Sequence, residues 1–134
     1  MVAAEPTIQD ITNEIQRRLE TIDGLHAYAI EPDQPPLPCA FVRVVDWAYG
    51  QEFDNVGTTW HFDVWILVSD SPRFGRAQTQ LNEYLSPSGG RSIRAAIESG
   101  NALQWRVIGG GAYGRVDFAG ISALGASVRV EVLT

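Results

Sequence analysis

Apolar residues at Ile8, Ile11, Ile15, Leu19 and Ile22 recur at spacings of three and four, which predicts a helix over Thr7 to Ile22 with one buried face. Thr7, with Asp10 three residues on, reads as a capping box whose acid also suits the positive end of the helix dipole. Glu14 and Arg18 form an i,i+4 pair assigned to the polar side, and Gly24 stands where a left-handed residue ends the helix. A short strand is predicted over Leu25 to Ile30. Pro32, Pro35, Pro36 and Pro38 then exclude helix and ladder, so Glu31 to Pro38 is an extended loop.

Cys39 to Trp47, rich in Phe and Val, reads as a strand, and the polar stretch Ala48 to Gly57 as a hairpin connection. Alternation is cleanest over Thr58 to Ser69, the longest predicted strand. Trp60, Phe62, Val64, Ile66 and Val68 share one face; His61, Asp63, Trp65, Leu67 and Ser69 share the other. Ser71-Pro72 starts a second helix. Its stripe is Phe74, Ala77, Gln78, Leu81 and Leu85, and Pro87-Ser88-Gly89-Gly90 breaks it. Ser92 caps a short helix containing Ile93, Ala96 and Ile97, ended by Gly100. Leu103 to Ile108 is a strand, and Gly109 to Gly120 a glycine-rich turn region holding a short strand around Arg115 to Phe118. The last strand is Ser127 to Leu133, with Val128, Val130 and Val132 inward and Arg129 and Glu131 outward.

The order α-β-β-β-α-α-β-(β)-β, without repeat or linker, predicts one α+β domain over residues 1–134. Its architecture is a single mixed, mostly antiparallel sheet with two main helices packed on one face. The other face is expected to carry Phe41, Val45, Trp47, Trp65 and Leu67, more apolar surface than a solvated face usually shows. Either a partner subunit or the chain's own long loops must cover it.

Composition narrows the function. The chain has 134 residues, 45% of them hydrophobic and 19% charged, which suits a folded domain with its own core. A formal charge of −6 and a pI near 4.7 oppose tight nucleic-acid binding, which needs cations to displace counterions. All 10 basic residues are Arg, so a lysine Schiff base, a Walker-A lysine and a Ser-Lys pair are excluded. Cys39 alone forms no internal disulfide or CxxC site. No apolar run reaches the ~18 residues of a membrane helix, and the start at Met1-Val2-Ala3-Ala4-Glu5-Pro6 does not read as a signal peptide.

Few motifs suggest chemistry. Gly109 to Gly114 matches G-x-G-x-x-G, but dinucleotide binding needs a helix directly afterwards, and Arg115 to Gly120 has no helical stripe. Gly120-Ile121-Ser122-Ala123-Leu124-Gly125 has one residue too many for a nucleophile elbow and is expected to be a bend. His61 and Asp63 share a strand face, too few ligands for a metal. Cys39 reads as a small buried residue, and Glu31 and Asp33 lie in a proline loop with nothing pairing them for catalysis. The expectation is a protein that is not an enzyme and carries no cofactor or metal.

Read in order, longer strings carry more. They are Ile11-Thr12-Asn13-Glu14-Ile15-Gln16-Arg17-Arg18-Leu19-Glu20-Thr21-Ile22-Asp23-Gly24-Leu25, then Tyr28 and Pro32-Asp33-Gln34-Pro35-Pro36. Gln80-Leu81-Asn82-Glu83-Tyr84-Leu85-Ser86-Pro87-Ser88-Gly89 and Arg91-Ser92-Ile93-Arg94-Ala95-Ala96-Ile97-Glu98 follow, and Tyr113-Gly114 and Leu124-Gly125-Ala126 precede the final alternating strand. The ordered set, from Ile8 to Val132, resembles the tail terminator proteins of long-tailed phages (siphovirus type) that infect actinobacteria. The lysine-free, Arg- and Ala-rich composition agrees with a high-GC source.

The resemblance implies a small α/β fold assembled as a homo-oligomeric ring, commonly a hexamer. Such a ring caps the head-proximal end of the tail tube, stops its polymerisation and docks onto the head-tail connector or stopper protein. Its partners are then copies of itself, the major tail tube protein, the connector and the tape measure protein. DNA passes through the lumen without specific binding, and no membrane is involved. The protein belongs in the virion, and in the host cytoplasm during assembly. A head-completion or neck adaptor protein of the same virion is the nearest alternative, and a small ligand-binding α+β domain the next. The candidate interface residues are Phe41, Trp47 and Trp65 on the sheet, with Tyr49 and Phe53 in one loop and Tyr113 and Phe118 in the other. Both loops are expected to order on assembly.

Overall fold

The computed structural model describes residues 7–33, 35–49, 57–69, 74–99, 104–118 and 120–134. Helix α1 spans Ile8–Leu19 and opens on the expected capping box. Thr7 Oγ1 accepts from the Asp10 N–H at 3.2 Å, and the Asp10 carboxylate accepts from the Thr7 N–H at 2.9 Å. The helix stops one turn before Ile22, which still reaches the core from the turn that follows; Gly24 (φ +82°) then reverses the chain. Ile11, Ile15 and Leu19 are buried, each burial stabilising the fold by roughly 2–3 kcal/mol.

Five strands form one sheet in the order β1-β2-β3-β5-β4. They are β1 (His26–Tyr28), β2 (Cys39–Tyr49), β3 (Thr58–Ser69), β4 (Gln104–Phe118) and β5 (Ile121–Leu133). Strand β1 runs parallel to β2, and every other pair is antiparallel. Helices α2 (Phe74–Leu85) and α3 (Ile93–Ile97) lie between β3 and β4 in sequence. All three helices cover one sheet face, where Val42, Phe62, Val64, Ile66, Val68, Val128, Val130 and Val132 meet Ile11, Ile15, Leu81, Tyr84, Ile93 and Ile97. The fold is therefore α+β with a single mixed sheet. The start of the second helix at Ser71-Pro72 lies outside the described residues.

Several elements differ from expectation. The alternating residues of β3 fall as predicted, with the Trp60-to-Val68 set buried, but β3 is not the longest strand: it has 12 residues against 13 in β5 and 15 in β4. Residues 109–118 are no turn region; they continue β4. The ladder to β5 absorbs the glycines at two register shifts, Val107/Gly109 and Gly111/Gly114, and Ala112 there adopts φ +55°. Close approach explains Gly110, where an added Cβ would stand 2.6 Å from the Ser127 carbonyl oxygen. Gly120 (φ +79°) turns β4 into β5, which begins at Ile121 rather than Ser127. Among the described side chains of α2, Ala77, Leu81 and Tyr84 are buried and Gln78 and Leu85 half-buried, while the side chain of Phe74 lies outside the described set.

Arg18 is the largest departure on α1. It pairs with Glu14 at 3.0 Å as expected, yet its side chain is only 3% exposed. Its guanidinium lies 4.4 Å from the centre of the Trp105 ring and donates to the Ile97 carbonyl, capping the last turn of α3.

Candidate functional site

The sheet exposes a run of apolar side chains where β2 extends past its pairing with β1. Opposite residues in a ladder share a face, so register fixes their placement. Val44 faces Phe62, but the next pair is Asp46 with His61, leaving Val45 as a bulge. Beyond it Trp47 pairs with Trp60 and Tyr49 with Thr58. The bulge thus moves Trp47 off the outer face, where regular alternation places it, onto the helix-covered face beside Trp60. The two indole rings are 6.2 Å apart and tilted. The Trp47 indole N–H donates to the Tyr49 hydroxyl at 3.1 Å. Neither residue is covered: Trp47 is 46% and Tyr49 67% exposed, with Val44 and Val45 exposed beside them. Strand β1 pairs only as far as Phe41, so residues 42–49 form an outer edge among the described residues.

The outer face is more polar at its centre than expected. Two rows of charge cross it. Arg43, Asp63 and Arg129 form one, with the Arg129 guanidinium 2.6 Å from Asp63. Asp46, His61 and Glu131 form the other. His61 Nδ1 lies 2.5 Å from Asp46 and Nε2 lies 3.1 Å from Glu131. Hydrogen bonding to Asp46 first, and to Glu131 next, raises the His61 pKa above its ordinary 6.5. The carboxylates sit on opposite sides of the ring and do not converge on a point. Among the described residues no group of three or more His, Cys, Asp or Glu is placed to hold a metal ion.

Phe41, Trp65 and Leu67 do lie on the outer face, but at its other end, with Cys39 and Ala123. Tyr28, Leu37 and Val116 pack against this cluster, so the chain itself covers much of that apolar surface. Phe41 is 2% exposed and Trp65 half-buried. Beside the cluster, Glu31, Asp33, Arg43 and Asp117 rim an open cleft of about 530 Å³. Arg43 reaches Glu31 at 2.5 Å and lies over both the Phe41 and Trp65 rings. Burial pushes the Cys39 thiol up to about 11, so it stays protonated at neutral pH.

On the opposite edge, β4 exposes Ile108 and Tyr113. Tyr113, 46% exposed, donates from its hydroxyl to Asn82 of α2 at 3.0 Å and lines a groove of about 450 Å³. Residues 109–114 lie inside this strand and are followed by β5, not by a helix. The backbone of Phe118 pairs with Ile121 at the hairpin end, while its side chain and the whole of Phe53 lie outside the described set. Trp47, Tyr49 and Tyr113 are therefore at the surface, in two separate places, and Phe41 is in the interior. Alternation did not single out Asp46 and Glu131 as partners of His61; the signal lies in the ladder register, which the bulge shifts. No helix among the described residues is long and apolar enough to cross a membrane. Compared with known proteins, the chain matches no family model and no curated sequence.

Proposed function

We propose that this protein is a structural subunit that associates with copies of itself into a ring and acts as the tail terminator of a long-tailed phage. The ordered sequence resemblance from Ile8 to Val132 supports this reading. The single structural observation that carries it is the exposed surface of Val44, Trp47 and Tyr49 on the half of β2 that extends past its pairing with β1. Large aromatic side chains held on a strand are effective contact anchors, because little conformational freedom remains to be lost on binding. The acidic balance, −6 per copy, suits a ring through which DNA passes without sticking.

Tail assembly without the protein tests the reading. Tubes that overgrow and fail to join heads are the expected result, and adding back wild-type protein restores length whereas Trp47→Ser does not. Normal-length tails joined to heads in its absence would refute the terminator role. Normal-length tails left unjoined would assign the protein to the neck instead.

A further inference from the structure

A carboxylate accepts hydrogen bonds and does not donate them, so the two contacts of His61 can both be hydrogen bonds only if both ring nitrogens carry protons. A neutral ring would turn one lone pair toward a carboxylate oxygen. The arrangement Asp46–His61–Glu131, spanning β2, β3 and β5, is therefore built for an imidazolium. Asp46 is also the first paired residue after the bulge. From Asp46 to Tyr49, β2 pairs with β3 alone among the described residues, and all four residues are exposed.

We propose that the His61 imidazolium clamps the bulged half of β2 in register, so that protonation controls how Trp47 and Tyr49 are presented and whether assembly proceeds through them. The clamp is a property of the single subunit; the link to assembly rests on the function proposed above. The charges facing His61 are Asp46 and Arg43 on β2, Asp63 on β3 itself, and Glu131 and Arg129 on β5, with Arg106 of β4 opposite Glu131. Arg129 is bonded to Asp63 and Arg43 to Glu31. The imidazolium contacts both carboxylates and so joins Asp46 to Glu131. Since the folded pKa is raised, the clamp is fully present below the pKa of the opened segment and is lost as pH rises through the raised value. Each unit of elevation makes closure about tenfold more favourable at low pH.

Two measurements on the free wild-type subunit test the clamp. Ring nitrogen NMR should show both nitrogens protonated in most molecules at pH 6.5, with a His61 pKa above that value. Amide exchange of residues 46–49, corrected for its intrinsic pH dependence, should rise about tenfold per unit of elevation as the ring titrates. Asp46→Asn should move the midpoint down and shrink the response, and His61→Gln should abolish it. A singly protonated ring at pH 6.5 or below, or an unchanged response in His61→Gln, would overturn the proposal. Association should weaken over the same pH range; a clamp that titrates while association stays constant would break the link to assembly. Absence of association at every pH would count against the assembly reading, and the ring titration would still decide the clamp.

Discussion

Replacing Arg18 by Met keeps an unbranched side chain against Trp105 while removing the guanidinium. Three interactions go with it. The buried Ile97 carbonyl, which accepts from Arg18 across 79 residues of sequence, loses that donor, at about 1–3 kcal/mol. The cation lying 4.4 Å from the Trp105 ring centre contributes about 0.5–2 kcal/mol. The ion pair with Glu14 adds only a few tenths, because Glu14 keeps Arg17. Against these stands the desolvation of a guanidinium that is 3% exposed, which Met relieves. The balance is a loss of about 2–4 kcal/mol. Urea denaturation followed by far-ultraviolet circular dichroism measures it, and melting should fall by about 3–5 °C per kcal/mol at this chain length. Arg18→Lys, which keeps the charge but not the fork, should lie between wild type and Arg18→Met. Stability of Arg18→Met within about 0.5 kcal/mol of wild type would show that the contacts to α3 and Trp105 do not hold the fold.

Four further substitutions address β4 and the acid limb. Gly110→Ala should cost about 1–3 kcal/mol in denaturant unfolding, since its Cβ meets the Ser127 carbonyl oxygen at 2.6 Å. Gly109→Ala and Gly111→Ala, where a Cβ meets nothing within 4 Å, should stay near wild type; equal losses at all three would refute the close approach. Glu14 is held down at about 2, first by its hydrogen bond to Arg17 and further by Arg18. A lowered carboxylate stabilises the fold above its unfolded pKa of about 4.5, and that contribution is lost as pH falls toward 2. Glu14→Gln should therefore cost on the order of 1 kcal/mol at pH 7 and become indistinguishable from wild type near pH 2.

Much of the fold was legible because its signals are periodic. Strand β3 alternates from Thr58 to Ile66, and α1 carries both its stripe and its capping box. Strand β4 was illegible in its middle because glycine has no side chain to alternate, and the same residues that suggest a turn let the backbone lie close against Ser127. Arg18 looked exposed because its type is polar and its partner Glu14 is local; the contacts that bury it, Ile97 and Trp105, are remote in sequence. The candidate site was half legible. The exposed aromatics could be named, but alternation put Trp47 on the same face as Phe41, and only the ladder reveals the surplus residue that separates them. The pairing of His61 with Asp46 was hidden for the same reason.

That surplus residue makes the surface a matter of counting. On β2, the residues facing the helices are even-numbered through Val44 and odd-numbered from Trp47 onward. Val45 inverts the parity, and it does so by being present, whatever its side chain. Substitution at position 45 leaves Trp47 and Tyr49 where they are. Sliding the surplus one position at a time toward Tyr49 would turn Asp46, then Trp47, then the rest, to the opposite face without changing a residue. The chain therefore spells two surfaces with one string of letters, and the position of a single uncounted residue decides which is displayed.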